Sequence, residues 1–159
     1  MAKVILICGK ICCGKTTYAQ NLRQKRKAVL LSVDELMLAM FGQHAGENHD
    51  LYAARSRAYL MDKAADLIQD GVNVIFDWGF WTKAGRQEIR DLCTERGLSY
   101  EFHYLSVDDE TWNARVENRN VAVLAGTASA YYIDENLAQK FRTRFEEPDR
   151  SEMDVWIES

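Results

Sequence analysis

Gly9-Lys10-Ile11-Cys12-Cys13-Gly14-Lys15-Thr16 is the stretch on which the fold turns. It satisfies the spacing G-x-x-x-x-G-K-[ST] at every fixed position. A chance match in a chain this long is on the order of one in a few hundred. The residues on either side supply the context the pattern needs. Lys3 to Cys8 (KVILIC) is a short, mostly apolar, β-branched run, which predicts a buried strand. Lys15 to Gln24 predicts a helix. Between them, Gly9 and Gly14 allow backbone angles that larger residues resist. Successive amides then turn inward to hold phosphate oxygens, and the helix aims its positive end at them. Lys15 is placed to bridge the β and γ phosphates, and the Thr16 hydroxyl to ligate Mg²⁺. Lys10, Cys12, Cys13 and Thr17 complete the nucleotide-binding stretch.

Working outward, apolar runs and helical patterns alternate. Ala28 to Val33 (AVLLSV) predicts a second strand, and Asp34 to Phe41 a short helix with Asp34 as its N-cap. Gly42 to His49 reads as a loop, and Leu51 to Gln69 as a helix stopped at Gly71. Val72 to Phe76 (VNVIF) is the third strand, Thr82 to Arg96 the next helix, and Tyr100 to Val107 the fourth strand. Asp108 to Asn118 opens with acids suited to a helix start. Asn120 to Tyr132 reads as small and irregular, Asp134 to Phe145 as helical, and Met153 to Ile157 as a last strand. Continuous apolar strands indicate a sheet covered on both faces. The expected fold is therefore α/β: a three-layer nucleotide-binding fold with a five-stranded parallel sheet, in one domain spanning 1–159.

In such sheets ligands bind beyond the carboxyl ends of the strands. That rule singles out two acids. Asp34 follows strand two and is the predicted base that orients an acceptor hydroxyl and takes its proton. Asp77 ends the run VIFD after strand three, where it suits Mg²⁺ directly or through water. Glu35 reads as a first-turn acid that complements the helix dipole.

Composition sets limits. The chain has 159 residues, 47 % hydrophobic and 28 % charged, which excludes disorder. A net charge of −4 disfavours a nucleic-acid backbone as partner. Cys8, Cys12, Cys13 and Cys93 show no framework or zinc spacing, so reduced thiols and a cytoplasmic setting are expected. Within the loop, Cys12 and Cys13 have two readings: oxidation-sensitive thiols at a helix N-terminus, or small fillers whose backbone matters. No secretory leader is expected, and no stretch approaches the ~20 apolar residues of a membrane span.

Taken together, GKICCGKTT, LSVDEL, VIFDWGF and LSVDDETWNARVENRN resemble the small P-loop kinases that include polynucleotide kinase, chloramphenicol phosphotransferase and zeta toxin. The likeness runs over nearly the whole chain. It implies ATP as the nucleotide, Asp34 as the catalytic aspartate, and a lid at about residues 115–133. It also implies that Arg115 flanks the adenine and that Arg119 reaches the phosphates. Their bland alternative is a pair of exposed helix arginines matched to Glu117 or Asp109. FRTRFEEPDRSE resembles the family's pre-terminal segment, implied to lie near the adenine. Two departures stand out. Met37 occupies the place where polynucleotide kinases often carry an arginine, and the lid segment is rich in alanine rather than arginine.

On the acceptor side the sequence offers His44, Glu47, His49, Asp50, Tyr52, Arg55 and Arg57, and then Trp78, Phe80 and Trp81. The aromatic cluster either lines a ligand pocket or packs under a helix. The expected activity is phosphoryl transfer from ATP, with Mg²⁺, to a hydroxyl of a small molecule such as an antibiotic, nucleoside or sugar. Lys15, Asp34 and Arg119 would be the catalytic groups. The alternatives are a 5′-hydroxyl polynucleotide kinase and a non-catalytic ATP-binding switch.

Overall fold

Residues 1–159 are all described in a computed structural model. Strand β1 (Val4–Cys8) is central, between β3 (Asn73–Gly79) and β4 (Tyr100–Ser106). The edges are β2 (Ala28–Leu30) and β5 (Val155–Glu158), giving the order β2-β3-β1-β4-β5 with every pairing parallel. Six α-helices surround this sheet: α1 (Lys15–Arg26), α2 (Val33–Phe41), α3 (His49–Gln69), α4 (Lys83–Glu95), α5 (Asp109–Leu124) and α6 (Glu135–Arg144). This is the expected five-stranded α/β fold.

Why β1 is apolar throughout is visible in its two faces. Val4, Leu6 and Cys8 pack toward α3 and α4 with Met61, Ala64, Ile89 and Phe102, while Ile5 and Ile7 pack toward α1 with Ala19 and Leu22. Every β1 side chain is fully buried. A buried aliphatic side chain contributes roughly 1.5–3 kcal/mol, so the central strand anchors both layers at once. A third cluster, Trp112, Val116, Ile133, Ala138 and Phe141, fastens α5 to α6.

Several boundaries differ from expectation. Pairing of β2 stops at Leu30 because Ser32 already caps α2: its Oγ accepts the Glu35 N–H at 3.2 Å. Ser32, not Asp34, is thus the N-cap, and Asp34 sits in the first turn with its side chain free of the capping role. Strand β3 runs beyond Phe76 to Gly79, so Asp77 lies within it. Leu6 faces Phe76 whereas Cys8 faces Gly79, so Asp77 and Trp78 together oppose Ile7 alone. This bulge sits where the strand meets the phosphate loop. Helix α5 continues to Leu124, through part of the segment read as irregular.

The aromatic cluster packs rather than lining a pocket. Trp78 stacks on Phe76 at 4.0 Å and donates to the Leu31 carbonyl at 2.9 Å. Phe80 is buried, and Trp81 meets Phe141 edge-on at 4.4 Å. The segment 141–152 is held from within the fold. Arg86, 1 % exposed, donates to both Glu152 carboxylate oxygens at 3.1 and 3.3 Å, and to the Phe80 and Glu146 carbonyls at 3.1 and 2.9 Å. Burial alone would raise the Glu152 carboxyl, but the Arg86 hydrogen bonds and charge and the Asp149 N–H bring it below its usual range. This clasp holds the segment against α4, and none of its residues borders the cavity described next.

Candidate active site

The glycine loop between β1 and α1 is built so that most of its carbonyls are occupied while four of its amides are not. Lys15 Nζ donates to the Gly9 and Lys10 carbonyls at 2.9 and 2.6 Å. Trp112 Nε1 donates to the Ile11 carbonyl at 2.6 Å, and Arg115 Nη1 to that of Cys13 at 2.9 Å. Helix α5 therefore grips the loop from outside. By contrast, the amides of Lys10, Ile11, Cys12 and Gly14 have no acceptor in the chain. Orphan donors of this kind are satisfied by an anion. The glycines are dictated by this geometry. A Cβ at Gly9 would stand 2.5 Å from Cys13 Sγ and 3.0 Å from the Leu105 carbonyl oxygen, and Gly14 holds φ +99° as the residue preceding α1.

A cavity of about 1090 Å³ opens above the loop, at the carboxyl ends of the strands. It brings together Lys15, Thr16, Thr17, Asp34, Asp77, Arg115 and Arg119, with Cys12 and Gly14 at its margin. Gly9, Lys10 and Cys13 are not on its surface; Lys10 turns its ammonium to Asp109 at 3.4 Å and over the Trp112 ring. Arg115 also donates to Ser159 Oγ at 2.8 Å. Neither Arg115 nor Arg119 forms an ion pair, so the bland pairing with Glu117 or Asp109 does not hold.

Asp77 is half-buried, and its carboxyl is raised above the usual range first by burial and then by the Asp34 charge. Lys15 and the Ser32 hydroxyl pull it down without cancelling this. A bare carboxylate is thus costly there, and a divalent cation beside it would offset that cost. No three His, Cys, Asp or Glu side chains converge to hold a metal alone. Asp77 with the Thr16 hydroxyl fits Mg²⁺, which keeps most positions for phosphate and water.

Three further features line the cavity, the last of them within the expected lid at about residues 115–133. Tyr18 borders the cavity and pairs through its hydroxyl with His103 Nδ1 at 2.7 Å, while His103 Nε2 meets Glu101 at 3.0 Å. The C-terminal residues Ile157 to Ser159 form part of the wall. Ser129 to Tyr131 form another, and burial followed by the nearby Asp34 charge raises the Tyr131 phenol. No pattern of spacing announces any of these. Conversely His44, Glu47, His49, Asp50, Tyr52, Arg55 and Arg57 all lie off the cavity.

A parallel sheet of this order, with the glycine loop between its central strand and α1, defines a P-loop NTPase of the kinase-like type. The profile of the AAA domain family matches residues 4–148, and the chain belongs to that family. No functionally curated protein matches the sequence. Among solved structures, a provisionally assigned kinase from Chloroflexus aurantiacus is similar at TM-score 0.73 and 20 % identity, over 99 % of this chain and 86 % of that one. Kti12 of Chaetomium thermophilum, in complex with ADP-AlF3, gives 0.71 and 17 % over 98 % and 88 %. The APS kinase CysC of Mycobacterium tuberculosis, in complex with AMPPNP and APS, gives 0.68 and 16 % over 99 % and 88 %. No helix is long and apolar enough to cross a membrane.

Proposed function

We propose that this protein is an ATP-dependent phosphotransferase whose acceptor is a hydroxyl of a small molecule. The observation that carries this reading is the convergence of Lys15, Thr16, Asp34, Asp77, Arg115 and Arg119 on one cavity. A simple nucleotide switch needs the loop but not a second carboxylate free to face an acceptor.

In this reading the free loop amides and Lys15 hold the triphosphate, as P-loop proteins do. Mg²⁺, held by Thr16 and Asp77, supplies charge neutralisation on the phosphate oxygens. Asp34 accepts the proton of the acceptor hydroxyl as its oxygen bonds to the γ phosphorus and the bond to the ADP oxygen breaks. Arg119 stabilises charge on the moving group, and Arg115, already fixed by Cys13 and Ser159, flanks the base. A cytoplasmic setting suits four unbridged cysteines.

The test uses γ-labelled ATP and Mg²⁺ with a panel of hydroxyl compounds, and the Lys15→Met variant as blank. Label on a small compound supports the reading. Label on 5′-hydroxyl oligonucleotides replaces it with a polynucleotide kinase, and ATP binding with label on no acceptor replaces it with a switch.

A further inference from the structure

The cavity is lined by both signs of charge, and only the cations keep to one side: Asp77 on β3 and Glu158 on β5 join Asp34 and Glu35 among its acids. All its cationic side chains, Lys15, Arg115 and Arg119, stand on α1 and α5. The opposite side is made by α2, with Asp34, Glu35 and Leu38, and by the strap Ser129–Tyr131; it carries no Lys, Arg or His. Neither Asp34 nor Glu35 is ion-paired within the chain. The Met37 side chain, 1 % exposed and set against the Ser56 hydroxyl at 3.7 Å, points into the core and offers nothing to this space.

The strap is held by two amides acting as backbone mimics. Gln43 Nε2 donates to the Ala130 carbonyl at 2.6 Å, and its Oε1 accepts the Tyr132 N–H at 3.2 Å. Asn120 Nδ2 donates to the Ile133 carbonyl at 2.6 Å, and its Oδ1 accepts the Ile133 N–H at 2.7 Å. Each side chain thus makes a two-point pairing, one from the loop after α2 and one from α5. Tyr131 is pinned between them, close enough to Asp34 to feel its charge. Its ring faces His49 edge-on at 6.3 Å.

We infer that the space between α2 and this strap is the acceptor subsite, that Tyr131 is its specificity wall, and that it takes a hydroxyl compound bearing no negative charge, either neutral or amine-bearing. This rests on the phosphotransferase reading above. A phosphate, sulfate or carboxylate on the acceptor would meet Asp34 and Glu35 with no cation to receive it, and such like-charge juxtaposition rejects a ligand. The flat phenol suits a ring or apolar face. Gln43 and Asn120 are positioning residues that act through Tyr131.

The experiment compares kanamycin, chloramphenicol and adenosine with gluconate, adenosine 5′-phosphosulfate and a 5′-hydroxyl oligonucleotide. Label transfer is measured with wild type, Tyr131→Ala, Gln43→Ala and Lys15→Met. In parallel, AMPPNP-loaded protein is titrated calorimetrically with each compound. The expected result is label and binding confined to the first three compounds. Tyr131→Ala and Gln43→Ala should raise acceptor KM about tenfold or more with ATP affinity unchanged, a split that mere loss of folding would not give. Label or binding on an anionic compound overturns the inference, as does an acceptor KM or affinity indifferent to both variants. Binding of an uncharged or amine-bearing compound that weakens in Tyr131→Ala without transfer sinks the kinase reading alone. Binding of none of the six overturns the subsite.

Discussion

The two walls of the cavity are built on opposite principles. The phosphate wall is local: residues 9–17 run consecutively, the carbonyls of Gly9, Lys10, Ile11 and Cys13 are taken up, and the amides of Lys10, Ile11, Cys12 and Gly14 are left open. The acceptor wall is assembled from separate segments, α2 and the strap Ser129–Tyr131, with Gln43 tying the strap to the end of α2 and Asn120 tying its continuation at Ile133 to α5. A wall made by backbone tolerates little change at its glycines but, at Cys12, any small side chain that accepts its φ of 61°. A wall made by side chains can be retuned by one substitution.

The largest expected effect falls on the local wall. Lys15→Met removes the only ammonium bonded to the loop carbonyls of Gly9 and Lys10, and with it the charge aimed at the phosphates. Transfer should fall by about 10³ or more, read with labelled ATP. Activity within tenfold of wild type would mean that the loop amides alone suffice. Asp34→Asn comes next and sits where the walls meet. It keeps the first-turn position on α2 but cannot take a proton. Turnover should drop by roughly 10²–10⁴ with ATP affinity kept. Equal turnover would remove Asp34 as base and leave the acceptor wall without a catalytic group.

Asp77→Asn sharpens the comparison through stability. Burial and the Asp34 charge raise the folded Asp77 carboxyl above its ordinary value of 3.8. A raised folded value means the folded state binds the proton more tightly, so stability falls as pH rises through that window. At pH 7 the full cost is present, and Asp77→Asn should raise Tm of the nucleotide-free protein by a few degrees. The gain should shrink as pH falls through the raised folded value toward 3.8 and vanish below it, where both states are protonated. The same variant should weaken Mg²⁺-dependent ATP binding. A Tm that drops at pH 7 would show that Asp77 is held for structure rather than for a cation.

How much was legible follows the same division. The loop, the alternation of strands and helices and the two acids near the ends of β2 and β3 could be read because each depends on neighbours in sequence. Ser32 could have been read as the cap, since Ser32 and Glu35 have the S-x-x-E spacing, but Asp34 stood nearer the helix and drew the assignment. The resemblance places a lid at about residues 115–133, but what holds the strap within it could not be read. Gln43 and Asn120 are ordinary amides whose partners at Ala130, Tyr132 and Ile133 are fixed only by tertiary folding. The aromatic run 78–81 was ambiguous because a buried tryptophan and a pocket tryptophan have the same composition. Only the Trp78 bond to Leu31 and the Trp81 contact with Phe141 decide it.

The smallest effect concerns the loop thiols and tests whether the local wall depends on backbone alone. Burial raises the Cys12 thiol, and the positive charges of Arg119 and Lys15 only partly oppose it. Cys8 beneath the loop is pushed up to about 12, again chiefly by burial. Thiols so raised are protonated at pH 7 and react slowly, because the thiolate is the nucleophile. Iodoacetamide should therefore label Cys12 about tenfold more slowly than a free small thiol at pH 7, and faster as the solution is made alkaline. Since Cys12 lies at the cavity margin, MgATP should slow it further. Cys12→Ser should leave transfer within about twofold, because the φ of 61° and the amide, not the sulfur, are what the loop uses. Rapid labelling at neutral pH would instead reveal a thiolate in the loop. The phosphate wall would then carry a reactive side chain as well as a backbone.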